Sequence, residues 1–257
     1  MGDVTFRLSA GTVIIHDNDH NDRFSRGDTV EIIRNSGSAS AHTTSTTTYS
    51  GFAANRQLRD LGVRPSYATQ FAPLRAISTH LDNAWAAYRG HASDRFEVIQ
   101  RESLEVRRLM FSNHVTTGFG ALRLWEPANY LLRYASNGLR TQRTATLDRE
   151  SLSIMTSIAN GSLRGENAIR RLQALLTQAA SYGMSNHQGL IDAENLLRAV
   201  NQAGRNIEGI RNGTPNAEED FTSNSGVIQT LVTRYSLRSD RLEELNRQRI
   251  TARVGSR

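Results

Sequence analysis

The chain has 257 residues, 38% of them hydrophobic, a mean hydropathy of −0.49 and a net charge of +6. This suits a globular protein of one large domain or two modest ones, and no apolar run nears the ~18 residues of a membrane span. Cysteine is absent and all 31 basic side chains are arginine, which excludes a thiol nucleophile, a cysteine zinc cage, a disulfide, a phosphate-loop lysine and a Schiff base.

The opening MGDVTFRLSAG lacks the charged and apolar regions of a signal peptide. VTFRLSA (4–10), TVIIH (12–16) and TVEIIR (29–34) are β-prone. The polar tract 34–51 reads as a linker. FAANRQLRDLG (52–62) reads as a short helix, with Phe52, Leu58 and Leu61 in a stripe and Gly62 as a stop. FAPLRAIS (71–78) and RFEVIQ (95–100) read as strands, and VTTGFGALRLW (115–125) as a β-prone run bent at Gly118 and Gly120. After Pro127 the texture changes. Segments 129–139, 147–161, 166–183, 191–210 and 223–250 space apolar residues three and four apart, as amphipathic helices do. The expected organisation is an α+β half, 1–127, and an all-helical half, 128–257. Charge follows the same division. The first half has 14 arginines and 13 acids, the second 17 and 12. A basic half suits nucleic acid, anionic lipid, an acidic partner or a plain solvated face.

If 95–100 is a strand, Gln100 and Glu102 stand at i and i+2 and point the same way where it ends. A carboxylate so placed suits chemistry that builds positive charge on a sugar, because it stabilises an oxocarbenium-like centre and holds a ribose hydroxyl. The anionic part of such a substrate needs an arginine fork, and the carboxylate needs a hydroxyl to hold it. Arg7 on the first strand and Thr43-Thr44-Ser45 before the short helix supply both types. Read singly, Arg7 is equally a surface strand residue, the threonine tract a solvated loop, and Gln100 with Glu102 a polar strand end.

Taken in order, TFR, HTTS and IQRESLEVRRL resemble the three motifs of the mono-ADP-ribosyltransferases of the cholera and pertussis toxin class: an aromatic–Arg strand, a Ser-Thr-Ser or Thr-Thr-Ser strand leading into a helix, and Gln-x-Glu. Separations are 36 residues from Arg7 to Thr43 and 57 from Thr43 to Gln100. The resemblance covers about residues 4–125. It lacks the Asp-x-Arg-Pro-Pro continuation of the cholera-like toxins. It implies a mixed-strand core that binds NAD as a substrate, with no metal. Arg7 would hold the NAD phosphate and ribose. Thr43 would orient Glu102, with Thr44 and Ser45 supporting the strand. Glu102 would stabilise the oxocarbenium as nicotinamide leaves, and Gln100 would orient an acceptor other than arginine. The family reading makes the chain a bacterial toxin or effector, secreted or injected, acting on a host protein in the host cytosol. Its helical half would dock a target or a delivery partner. Lysine scarcity is a habit of toxin A-chains, where it keeps ubiquitin off; a GC-rich codon bias is the plainer source.

Three further patterns compete. HDNDHND (16–22) has the ligand density for a divalent ion but lacks an EF-hand's downstream Glu, and reads as an Asn/Asp-rich turn bordering the NAD cleft. Glu105-Val-Arg-Arg108 matches the Glu-x-x-Arg that ricin-class RNA N-glycosidases carry on a helix, and DVTFRLSA resembles the first strand of plant members; this is the alternative enzyme. A non-enzymatic Arg-rich helical module is the third reading. Nucleic acid is not expected, because arginines alternate with acids and the back half has few aromatics for stacking.

Overall fold

A computed structural model describes residues 2–8, 11–36, 43–63, 70–113, 115 and 124–255. It is mixed α and β. Four antiparallel strands come first: β1 (Val4–Leu8), β2 (Gly11–His16), β3 (Thr29–Ser36) and β4 (Thr43–Ser50). Eight helices follow among the described residues: α1 (Gly51–Asp60), α2 (Phe71–Arg89), α3 (Arg95–Ser112), α4 (Trp125–Ala159), α5 (Gly165–Ser181), α6 (Gln188–Arg211), α7 (Ala217–Arg234) and α8 (Asp240–Gly255). No described helix is long and apolar enough to cross a membrane. Two compact units divide at Arg140, inside α4, and not at residue 127.

In the first unit the strands form a meander ordered β1-β2-β3-β4. Alternation along each strand sends Val4, Phe6, Val13, Ile15, Val30 and Ile32 to one face, all buried. Helix α2 packs beside β1, and α1 packs on β3 and β4. Phe71, Leu74, Ile77 and Leu81 of α2 and Ala54 and Leu58 of α1 join the sheet's apolar face in one core. At about 1.5–3 kcal/mol for each fully buried large side chain, this burial is the unit's main stabilising term. Helix α3 packs on α2 and adds Ile99, Val106 and Met110 to the same core.

Three expectations are corrected. Segments 71–78 and 95–100 are helical, not strands. Their apolar residues recur at 71, 74, 77, 81 and 84, and at 99, 106 and 110. That 3.6-residue period shows only over 18 or so residues, whereas a six-residue window of β-formers fits either state. The tract taken as a linker ends in β4, where β-branched threonines pair residue by residue with β3. Helix 52–62 stands as α1, and Gly62, at φ 92°, stops it. Of the run 115–125, residues 116–123 lie outside the described residues, and Trp125 opens α4.

The second unit is all helical. Helix α6 packs against α5, α7 and α8. Its Leu190, Ala193, Leu196, Leu197, Val200 and Ile207 share a core with Leu147, Met155 and Ile158 of α4, Leu172 and Leu175 of α5, Phe221, Ile228 and Leu231 of α7, and Leu245 of α8. The segment 223–250 is two helices, broken where Ser236 takes φ 53°.

Gly138 has a packing reason. A Cβ there would lie 2.2 Å from the Phe96 ring, so the ring of α3 lies against the α4 backbone. Both tryptophans, Trp85 and Trp125, belong to the first unit, so their fluorescence reports its unfolding alone. We expect Gly138→Ala to destabilise this unit by about 1 kcal/mol, overpacking outweighing the gain in helix propensity. Urea unfolding followed by tryptophan fluorescence measures it, and adding Phe96→Leu should restore the loss.

Candidate functional site

The residues expected to form an NAD cleft do not converge. Arg7 lies on β1 and Thr43, Thr44 and Ser45 on β4, at opposite edges of the sheet. The row Arg7, Thr12, Ile33, Thr46 crosses three strand spacings, about 14 Å at ~4.8 Å each. Arg7 donates from Nη1 to Asp82 Oδ2 of α2 at 2.7 Å, in an ion pair open to solvent. Ser45 is exposed. Gln100 and Glu102 share α3, where positions two apart are turned by about 200° and face opposite sides. The side-by-side amide and carboxylate therefore do not form.

Glu102 is nonetheless the most constrained acid of the first unit's helices. It is buried between α2 and α3, and both of its oxygens are engaged. Oε2 meets His80 Nδ1 at 2.7 Å and Asn83 Nδ2 at 3.5 Å, and Oε1 accepts from Arg101 Nε at 3.0 Å. Burial pushes its pKa up, but the His80, Arg101 and Asn83 bonds outweigh that and hold it below the usual glutamate value. A carboxylate this enclosed fastens two helices and has no free oxygen turned toward a ligand.

The Glu-x-x-Arg motif is on a helix, but its members satisfy each other. Arg108 grips Glu105 through Nε at 2.8 Å and Nη2 at 2.5 Å on the helix surface. Trp85 stacks on Tyr130 and meets Tyr88 edge-on. On the sheet's outer face His16 bridges Asp3 at 2.8 Å and Glu31 at 3.1 Å. Burial there opposes the imidazolium, yet the two carboxylates keep its pKa above the ordinary histidine value.

A concavity lies in the second unit, along α6 and α7. It has a volume of about 620 Å³, within the range of small-molecule sites. Asp192, Asn195 and Arg198 line it from α6, and Asn224, Thr230 and Arg234 from α7. Asp192 is buried and accepts three bonds. Gln188 Nε2 reaches Oδ1 at 2.9 Å, while Arg234 Nη1 at 2.9 Å and the Tyr235 hydroxyl at 2.6 Å reach Oδ2. Burial raises the Asp192 pKa less than Tyr235, Gln188 and Arg234 lower it, so it lies below the usual aspartate value. Tyr235, by burial and then by that carboxylate, is pushed up to about 12 and stays a hydroxyl donor. Arg234 is thus fixed by a buried acid while its side chain remains 53% exposed. Opposite, Arg198 pairs with Glu194 at 2.8 Å. Two guanidiniums and several amide and hydroxyl groups can receive an anionic, hydrogen-bonding ligand.

The sequence carried one signal of this site. Asp192 falls on an apolar stripe with Leu196, Ala199 and Ala203, where an acid must be paired. Reading 223–250 as one helix hid Arg234 and Tyr235 at a helix end. Comparison with protein-family models, curated proteins and solved structures finds no match to this chain.

The Glu102 clasp makes a prediction opposite to that of a catalytic acid. We expect Glu102→Ala to destabilise the first unit by about 1–3 kcal/mol, because it strands His80 and Asn83, with Glu102→Gln losing less. The folded carboxyl has a depressed pKa. Its contribution is therefore full above about pH 4.3 and fades as pH falls through the lower folded value. Urea unfolding at pH 7 and pH 3, read by tryptophan fluorescence, should show the wild-type advantage at pH 7 and its shrinkage at pH 3.

Proposed function

We propose that the protein is a binding module whose helical unit takes a small molecule, or the anionic end of a larger one, in the groove between α6 and α7. The observation that carries this reading is Arg234. Asp192, itself held by the Tyr235 hydroxyl, fixes one edge of it, and its side chain stays half exposed at the lining of the groove. A guanidinium held this way loses little freedom on binding and offers its remaining N–H groups to a carboxylate or phosphate. Arg198 adds a second positive group across the groove, and Asn195, Asn224 and Thr230 add polar partners. Because Asp192 is tied by three donors, the groove holds no free general base in it, which supports binding over turnover.

ADP-ribosyl transfer from NAD to a host protein is the competing proposal, and the order of the three motifs alone supports it. One set of measurements separates the two. ADP, NAD, inorganic pyrophosphate and citrate are titrated by calorimetry against the whole protein, against Arg234→Ala, and against Arg238→Ala as a surface control. The binding reading expects at least one anion to bind the wild type and the control, and Arg234→Ala to weaken it about tenfold or more, one charge-assisted contact. Absence of binding by all four, or binding indifferent to Arg234, would count against it. NAD-dependent labelling of proteins in a host lysate that vanishes in Glu102→Gln would restore the transferase.

A further inference from the structure

We propose that the loop joining β2 to β3, residues 17–28, is a calcium site. Asp17, Asp19 and Asp28 each bring one carboxylate oxygen to within 4.8 Å of the others. Oxygens on opposite sides of a Ca²⁺ lie about 4.8 Å apart, since each Ca–O bond is about 2.4 Å. The independent sign of a ligand is Asp17 itself. It is 1% exposed, yet its Oδ1 is buried without a hydrogen-bond partner. A bare buried carboxylate oxygen is unfavourable unless something positive meets it.

The spacing agrees with the chemistry. A calcium loop of the EF-hand kind takes ligands from positions 1, 3, 5, 7, 9 and 12 of twelve residues, the seventh through its backbone carbonyl, and turns sharply at position 6. Counted from Asp17, these positions are Asp17, Asp19, Asn21, Arg23, Ser25 and Asp28. The downstream acid at position 12 is Asp28, in place of the usual glutamate. Position 6 is Asp22, at φ 61°. Its N–H donates to Asp17 Oδ2 at 3.2 Å, closing the loop around the first ligand. Asp28 is oriented by the N–H groups of Asn18 at 2.8 Å and Ser25 at 2.5 Å. All of these donors are backbone amides. The flanking elements are strands, not helices, and the loop is clamped on its far side to α2: Phe71 N–H donates to Asp22 O at 3.0 Å, and Arg75 pairs with the Asp22 carboxylate. Calcium bound here would brace the β2–β3 turn against the start of the helix that covers the sheet.

Aspartate at position 12 is one methylene shorter than the usual glutamate, which places the affinity toward the weak end of such loops, with Kd of about 10⁻⁵ to 10⁻³ M. The test is calorimetric titration of the whole protein, stripped with chelator, with CaCl₂ and separately with MgCl₂. One calcium per chain is expected. MgCl₂ should bind at least about tenfold more weakly, because Mg²⁺ demands a tight octahedron. Asp17→Asn and Asp19→Asn should each weaken calcium about tenfold or more. Asp19 is exposed, so its variant keeps the fold even if the buried Asp17 variant does not. No calcium heat at about 10 mM, ten times the weakest affinity expected, equal affinity for magnesium, or binding unchanged in Asp19→Asn would overturn the assignment.

Discussion

Val4, Phe6, Val13, Ile15, Val30 and Ile32 present a continuous apolar face that a four-stranded sheet cannot leave in water. The arrangement of the first unit follows from covering it. Helix α2 covers it beside β1, where Ser78 Oγ also bonds the Thr5 carbonyl. Helix α2 in turn needs a partner on its other side. That partner is α3, and at their junction a glutamate, a histidine and an asparagine meet. Glu102 is buried because α3 must lie on α2, and it is ionised because His80 and Arg101 pair with it. An acid that looks catalytic in a line of letters is, in space, part of what keeps the sheet covered.

How much of this was legible in the sequence depended on window length. The strands β1 to β3 and helix α1 were readable, since alternation over five to eight residues and a glycine stop are local signals. The first six residues of α2 and α3, FAPLRA and RFEVIQ, contain β-formers and fit a strand, and their apolar period emerges only as far along as Leu81 and Met110. As a strand, 95–102 puts Gln100 and Glu102 on one face; as a helix it turns them about 200° apart, while Arg7 and Thr43 stand at opposite edges of the sheet. The groove of the second unit was hidden for a different reason. Its residues come from α6 and α7 and meet only through helix packing, which no spacing along the chain encodes. Asp192 on an apolar stripe was the local hint.

The chemistry of the chain is divided between its units. In the first, charged groups are largely spent on structure: Arg7 on Asp82, Glu102 on His80 and Arg101, and Arg108 on Glu105. The exception is the β2–β3 loop, where a buried carboxylate oxygen is left unmatched. In the second, one buried acid aims one arginine into a groove of ligand size. A chain whose basic residues are all arginine suits this use, because a planar guanidinium can hold a structural carboxylate on one edge and a ligand on another.

The account turns on whether Glu102 is a clasp or a catalytic acid, and a carbon-detected NMR titration of its carboxyl group reads this directly. A clasp titrates below the ordinary glutamate value and is indifferent to saturating NAD. A glutamate that titrates above that value, or whose resonance shifts when NAD is added, would contradict the account.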